Sequence, residues 1–140
     1  MMDAVPNFTP RAQEAIKASR EAGLEFNSST VTLEHLLIGL LSQGRGLLRE
    51  IFLIVGYDLD AFRALVAGSL TRQKPKGQGI VFSNDVKDVL KVAYECAENL
   101  SQTYVGTEHI LIALLKNKPP SILKLFRKGG IRLNSLTLAM

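Results

Sequence analysis

The residues best suited to chemistry are two glutamate-histidine pairs, Glu34-His35 and Glu108-His109, each at the start of an apolar stretch. A carboxylate in the first turn of a helix is stabilised by the helix dipole, so a structural role at the helix start is one interpretation. The alternative is that both carboxylates face a groove and bind a cationic group. The histidines are predicted to satisfy buried hydrogen bonds rather than to react.

No motif for enzyme chemistry accompanies these pairs. Glu-His is not His-Glu-x-x-His, so neither helix offers two histidines one turn apart for zinc. No serine lies in a Gly-x-Ser-x-Gly context, and no Gly-x-x-x-x-Gly-Lys-Ser/Thr loop is present to hold a nucleotide. The single cysteine, Cys96, lies along an apolar stripe and is predicted to be an inert core thiol. We therefore expect no catalytic residue, no metal and no cofactor.

The two Glu-His pairs are copies within an internal repeat. An offset of 74 residues, the separation of Glu34 from Glu108, also aligns Phe8-Thr9 with Phe82-Ser83 and Gly56 with Gly130. The chain is therefore a tandem duplication. We expect one domain over residues 1–140, with repeat one at about 8–71, a polar linker at about 72–81 and repeat two at about 82–140.

Each repeat is predicted to form four helices, which gives an all-α domain of eight helices in two pseudo-symmetric groups. Small and apolar residues follow helical spacing from Ala12 to Ala22 and from Val86 to Ala97. Thr9 and Ser83 are typical N-caps for these first helices. A leucine-rich helix follows each Glu-His pair, and shorter helices are predicted over Leu47–Val55, Leu59–Leu70, Ser121–Arg127 and Leu133–Ala139. No segment alternates long enough to predict a sheet.

The net charge of +4 is unevenly distributed. Residues 1–70 carry six basic and eight acidic side chains, whereas residues 71–140 carry eleven and five. No acid interrupts the basic residues between Lys116 and Arg132, which form either a solvated face or a surface for an anionic partner. Nucleic acid is not expected, because Phe126 is the only aromatic residue there that could stack on bases.

The sequence also indicates a compartment. One cysteine cannot form an internal disulfide, and no apolar run approaches the roughly 20 residues of a membrane span. Met1–Pro10 lacks the basic and apolar pattern of a signal peptide. We therefore expect a cytoplasmic protein that does not engage a membrane.

Three segments resemble the N-terminal repeat domain of the Clp family of AAA+ unfoldases, most closely the ClpC type. They are Phe-Thr-Pro-Arg-Ala at 8–12, Thr-Leu-Glu-His-Leu-Leu-Ile-Gly-Leu at 32–40 and Tyr-Val-Gly-Thr-Glu-His-Ile-Leu at 104–111. The resemblance covers residues 8–139 and implies two four-helix repeats above a hexameric ATPase ring. It implies substrate proteins, adaptor proteins and the Clp ATPase ring or peptidase as partners, and a monomeric isolated domain. In a photosynthetic eukaryote the compartment would be the plastid stroma.

The resemblance further implies a phosphoarginine site in each repeat. By position, Glu34 with Thr9 and Glu108 with Ser83 would hold the guanidinium and the phosphate, if each cap lies near its own repeat's glutamate. A helix N-terminus attracts anions, but Asp85 at the second helix start would repel a phosphate. Contacts with protein partners are assigned to Phe8, Phe82, Lys116, Lys118, Lys124, Arg127 and Lys128.

Two functions of different class remain open from the sequence. The first is a receptor module for Clp substrates and adaptors, excised from a longer unfoldase. The second is a free-standing accessory subunit that docks on a Clp protease complex through its basic second half.

Overall fold

A computed structural model of the protein describes residues 7–73, 79–116 and 119–140. Over these residues the chain forms the eight helices that the sequence predicts. They are α1 (Pro10–Glu25), α2 (Leu33–Leu41), α3 (Leu47–Val55), α4 (Leu59–Gly68), α5 (Asn84–Asn99), α6 (Thr107–Lys116), α7 (Pro120–Lys128) and α8 (Leu133–Leu138). Residues 74–78 of the predicted linker lie outside the described residues. No helix in the described ranges is both long enough and apolar enough to cross a membrane.

The first helix of each repeat begins at the predicted cap. The Thr9 hydroxyl accepts the backbone N–H of Ala12 at 3.0 Å, and the Ser83 hydroxyl accepts that of Val86 at 3.2 Å. Each bond satisfies one of the N–H groups that a helix start leaves without an internal partner. The buried residues of these helices follow the predicted spacing: Ala12, Ala15, Ser19, Ala22 and Gly23 in α1, and Val86, Val89, Ala93 and Ala97 in α5.

Helices α1 and α2 run antiparallel and in close contact. Gly39 of α2 faces Ala15 and Ser19 in the middle of α1, while His35 at the start of α2 faces Gly23 near the end of α1. A side chain at Gly39 would collide with the Ala15 carbonyl oxygen. The absence of a Cβ at position 39 therefore sets how closely the two helices approach.

The third helix of each repeat ends on a glycine in the left-handed region. Gly56 follows α3 with φ +84°, and Gly130 ends the turn after α7 with φ +71°. The next residue in each case, Tyr57 or Ile131, returns its N–H to a carbonyl five residues back, at 2.8 and 3.0 Å. These closures are Schellman-type helix ends, in which glycine avoids a Cβ penalty.

Two short parallel ladders connect the repeats. The strands are β1 (Asn7–Phe8), β2 (Thr30–Val31), β3 (Val81–Phe82) and β4 (Tyr104–Val105). β1 pairs with β4, and β2 pairs with β3, so each ladder takes one strand from each repeat. The sequence expectation that no sheet forms is wrong, because two-residue strands are too short to show alternation.

The cores of the two repeats meet at a row of phenylalanines. Phe62 of α4 stacks on Phe52 of α3 at 6.3 Å between ring centroids, and lies tilted against Phe126 of α7 at 4.8 Å. All three rings are buried and belong to one hydrophobic core that includes residues of both repeats. Aromatic pairs at these separations add to the hydrophobic stabilisation from burial.

Candidate functional site

The histidine of each Glu-His pair closes the start of its own helix. Nδ1 of His35 accepts the backbone N–H of Thr32 at 3.0 Å, and Nδ1 of His109 accepts that of Gly106 at 2.9 Å. Both rings are buried. This bond is the one that Glu or Gln makes in a capping box. The prediction that the histidines satisfy buried hydrogen bonds is confirmed.

These bonds require neutral histidines with the proton on Nε2. An Nδ1 that accepts an N–H carries no proton, so Nε2 of His109 is the nitrogen that donates to the side-chain oxygen of Gln102. At His35, burial lowers the pKa, and the neighbouring Glu34 carboxylate opposes that effect only in part. The rings are therefore structural, and the chemistry at these helix starts rests with the glutamates.

The two glutamates are half-buried but do not have the same surroundings. Neither Glu34 nor Glu108 accepts a hydrogen bond or an ion pair from a described residue. The Glu108 carboxylate lies directly over the α-carbon of Gly106, in space that a side chain at position 106 would occupy. The equivalent position in repeat one is Thr32, whose hydroxyl lies 3.1 Å from His35 Nδ1. Both carboxylates are available to a cation, from different directions.

Within a repeat, the cap and the glutamate lie at opposite ends of a helix. In repeat one, the start of α2 lies beside Gly23, and Thr9 precedes Gly23 by 14 residues, about 20 Å along the helix axis. In repeat two, the bond between Gln102 and His109 holds the start of α6 at the far end of the 16-residue helix α5. The expectation that each cap lies near its own repeat's glutamate is wrong, because the first two helices of a repeat are antiparallel.

The crossed ladders instead bring each cap to the glutamate of the other repeat. The backbone N–H of Thr9 donates to the carbonyl of Val105 at 3.0 Å, three residues before Glu108. Likewise, the N–H of Ser83 donates to the carbonyl of Val31 at 3.0 Å, three residues before Glu34. These bonds join Thr9 to the segment before Glu108 and Ser83 to the segment before Glu34, and we call the two pairings the candidate Thr9–Glu108 site and the candidate Ser83–Glu34 site.

The two sites differ in charge. The first turn of α1, beside Thr9, contains no acid and carries Arg11, whose guanidinium donates to the Arg45 carbonyl at 2.7 Å. The first turn of α5, beside Ser83, contains Asp85. Asp85 and Asp88 line a cavity of about 150 Å³ that reaches Leu33, the neighbour of Glu34. The Thr9–Glu108 site therefore combines an anion-attracting helix start with one carboxylate, whereas the Ser83–Glu34 site has the additional carboxylates of Asp85 and Asp88.

The remaining predicted site residues are scattered. Phe8 and Phe82 are half-buried against the core, each in a crossed ladder. Lys116, Lys124, Arg127 and Lys128 are exposed, and Lys118 lies outside the described residues. Cys96 is half-exposed in a cavity of about 340 Å³ and is not the core thiol that the sequence predicted, because Ala97 takes the buried position. Among the described residues, no three His, Cys, Asp or Glu side chains cluster as a metal site would require.

Sequence pattern could not reveal the crossing. The signals were the residue pairs that precede the second helix of each repeat, Thr30-Val31 and Tyr104-Val105, which suit short strands. Because the repeats carry the same signals, the sequence does not say whether a strand pairs within its repeat or across to the other.

Comparison with known proteins agrees with this architecture. A family model described as the Clp repeat (R) N-terminal domain matches residues 7–136. The chain is 28% identical over 127 residues to the negative regulator of genetic competence ClpC/MecB of Bacillus subtilis (strain 168), covering 91% of this chain and 16% of that protein. It is 29% identical over 140 residues to the chloroplastic chaperone protein ClpC3 of Oryza sativa subsp. japonica, covering 95% and 15%. The chain thus spans about a sixth of the length of these curated relatives.

A solved structure is similar over nearly its whole length. The N-terminal domain of the caseinolytic protease associated chaperone ClpD from Arabidopsis thaliana superposes with a TM-score of 0.74 at 26% identity. The match covers 95% of this chain and 91% of that one. The similarity therefore extends to both repeats.

Proposed function

The chain belongs to the Clp repeat (R) N-terminal domain family, and on that premise we propose that it is a non-catalytic receptor module of a Clp ATPase. In this role it binds substrate and adaptor proteins and passes them to the unfoldase ring. Relatives named ClpC support the assignment to this class of ATPase. The proposed compartment is the cytoplasm, or the plastid stroma in a photosynthetic eukaryote.

We further propose that the Thr9–Glu108 site recognises phosphoarginine on a substrate. A single observation carries this proposal: the bond from the Thr9 N–H to the Val105 carbonyl, which joins a helix start to the segment that leads into Glu108. Phosphoarginine carries a negatively charged phosphate on its guanidinium group. A site for it must therefore offer the phosphate an anion-binding group and the guanidinium a carboxylate, within a few ångströms of each other. The crossed ladder supports the proposal, because it joins the start of α1 to the segment that leads into Glu108.

Each end of the ligand has a counterpart at this site. The phosphate suits the start of α1, where the Thr9 hydroxyl and the N–H of Arg11 are at hand and no acid opposes it. The guanidinium suits Glu108, because arginine and carboxylate form paired, charge-assisted hydrogen bonds. The Ser83–Glu34 site retains the carboxylate, but Asp85 repels a phosphate. We therefore assign phosphoarginine to the Thr9–Glu108 site as the tighter of the two.

Calorimetry with free phosphoarginine tests the assignment. Glu108→Ala should weaken binding about tenfold or more, because a hydrogen bond to a charged group contributes about 1.5–3 kcal/mol. Glu34→Ala is the matched control, with an equivalent glutamate removed from the other site, and should leave the tighter binding event unchanged. Glu108→Gln, which keeps the shape and removes the charge, should behave like Glu108→Ala.

Amide NMR during the same titration locates the ligand. In the unmodified chain, the amides of Arg11 and Gly106 should shift together, with one dissociation constant. Loss of binding in Glu34→Ala but not in Glu108→Ala would overturn the assignment. So would a titration without any response at these two amides.

A further inference from the structure

Helices α3 and α7 are equivalent copies that differ almost only on their exposed faces. The buried positions stay apolar, with Leu48, Ile51 and Phe52 in α3 matched by Ile122, Leu125 and Phe126 in α7. The exposed positions Glu50, Leu53 and Ile54 of α3 are matched by Lys124, Arg127 and Lys128 of α7. Where α7 presents three cations to solvent, α3 thus presents one acid and two large apolar side chains.

A groove connects these two faces across α4. Two adjoining cavities, of about 510 and 200 Å³, share Tyr57 and Asp58 as lining residues. The larger cavity reaches Leu53 of α3, and the smaller reaches Lys128 of α7 and Ile131. Leu53 is 78% exposed and its neighbour Ile54 is 77% exposed, which is unusual for residues of this size in an otherwise well-packed helix. The groove therefore runs from the exposed apolar side chain of Leu53, beside Arg49, to the cation Lys128.

The walls of the groove are fixed by contacts between the repeats. The Tyr57 hydroxyl accepts the backbone N–H of Arg132 at 2.9 Å, which ties the loop after α3 to the loop after α7. Below it, Gly129 lies so close to the Phe62 ring that an added Cβ would be 2.8 Å from Cδ1. A groove with fixed walls loses little entropy when it binds a ligand.

Among the described residues, Asp58 is the only acid that lines the smaller cavity together with Lys128 of α7. Lys124, Arg127 and Lys128 lie on one helix face and form no ion pair with a described carboxylate. The negative end of the α7 dipole stabilises the charges of Arg127 and Lys128, which lie in the last turn. Lys124 and Arg132 lie outside that turn, so the dipole does not stabilise their charges in this way.

The two acids near the middle of the groove are already engaged. Asp58 accepts the N–H of Ala61 at the start of α4, and Asp60 forms a two-bond ion pair with Arg49. Asp60 is therefore neutralised by Arg49, whereas Asp58 keeps its charge and lines the smaller cavity together with Lys128.

We propose that this groove binds an acidic segment of a partner protein that also carries large apolar side chains. The carboxylates of the segment lie on Lys124, Arg127 and Lys128, and its apolar side chains lie against Leu53 and Tyr57. This surface uses none of the residues of the Thr9–Glu108 site, so a client and a second protein can bind the domain at once. A nucleic acid fits less well, because Tyr57 is the only aromatic ring in the groove that is not buried, and its hydroxyl is held by Arg132.

Fluorescence anisotropy with a labelled peptide, Leu-Leu-Gly-Glu-Glu-Glu-Glu, tests the proposal. The peptide should bind in dilute buffer and weaken as salt approaches about 0.5 M, since screening removes the attraction between exposed charges. R127E/K128E should weaken binding at least about tenfold, because two attractions become repulsions. K17E/R20E, which reverses two exposed cations on α1, makes the same change in net charge and should have little effect.

Two further probes separate the alternatives. A peptide with serine in place of both leucines should bind more weakly, because the exposed side chain of Leu53 then has no apolar partner. The proposal is overturned if R127E/K128E binds as well as the unmodified chain, or if K17E/R20E weakens binding equally. It is also overturned if the serine peptide binds as tightly, or if single-stranded oligothymidine displaces the labelled peptide at a lower concentration than unlabelled peptide does. Thermal unfolding of each variant confirms that it is folded.

Discussion

At the residue scale, a histidine ring replaces the carboxylate or amide of a conventional capping box. Nδ1 of His35 accepts the N–H of Thr32, and the ring is buried between Gly23 and Phe26. Only the neutral ring can accept this bond, so protonation costs both the bond and the desolvation of a charge. The helix start that carries Glu34 therefore depends on the protonation state of its neighbour.

The stability of the fold should fall as pH drops below about 6.5, where a histidine in an unfolded chain takes up its proton. Burial lowers the pKa of His35 in the folded chain, so the unfolded chain is protonated first, and unfolding is favoured as pH decreases through this window. Urea unfolding between about pH 7.5 and pH 5 measures the effect. His35→Gln keeps an acceptor at the same capping position and removes the titration, so its curve should be flatter. An identical pH dependence in both proteins would contradict this role.

The sequence indicated that the histidines are structural, but it did not indicate all of their hydrogen-bond partners. His35 and His109 lie at the start of apolar helices, where a polar ring must find a partner, and that placement was sufficient. The partner of His109 on its outer side, Gln102, belongs to the loop after α5. Contacts across a loop depend on tertiary geometry, which no local pattern encodes.

At the element scale, close helix packing fixes where the helix starts lie. Gly39 lets α2 approach the backbone of α1, whereas the equivalent position in α6 is Ala113. The close approach of α1 and α2 brings the start of α2 against the end of α1. That antiparallel arrangement is the reason that a cap and a glutamate of the same repeat cannot share a ligand.

Gly39→Ala should destabilise the chain by about 1–3 kcal/mol, because the methyl group collides with the Ala15 carbonyl and the α1 backbone cannot move away cheaply. Gly68→Ala is the matched control in another helix, where an added Cβ meets no atom within 4 Å. It should be neutral or stabilising by up to about 1 kcal/mol, since alanine favours a helix over glycine. Denaturant midpoints measure both changes. Equal stability of the two variants would show that Gly39 does not set the helix spacing.

The helices were predictable from sequence where caps and periodicity agreed. α3 runs over Leu47–Val55 as predicted, and the stripe of α1 is buried as its spacing indicates. Helix α4 ends at Gly68, two residues earlier than predicted, because Ser69 and Leu70 already form tighter bonds to residues three positions back. The strands were not predictable, since two residues carry no period.

At the scale of the whole molecule, the crossed ladders make each repeat incomplete without the other. Every strand among the described residues pairs with a strand of the opposite repeat, and Phe62 bridges the two phenylalanines of the third helices. We therefore propose that residues 1–140 form a single domain with the two repeats as interdependent halves. The offset of 74 residues predicted the duplication, but pairing across the repeats is a property of the assembled fold.

A substitution that destabilises one repeat should therefore also destabilise the other repeat. In native-state hydrogen exchange, Gly39→Ala should lower the protection of the slowest amides in α5 and α6 as much as in α1 and α2, because the repeats open together. Gly68→Ala provides the comparison without destabilisation. Loss of protection confined to α1–α4 would contradict the single-domain proposal and indicate two units that unfold separately.

The central claim is that each ligand site is built from both repeats, and a crystal structure with bound phosphoarginine tests it most directly. We predict the phosphate at the Thr9 end of α1 and the guanidinium on the Glu108 carboxylate, with the Val105 carbonyl still bonded to the Thr9 N–H. A ligand held by Glu34 with its phosphate away from Ser83, or by Glu108 with its phosphate away from Thr9, would contradict the claim.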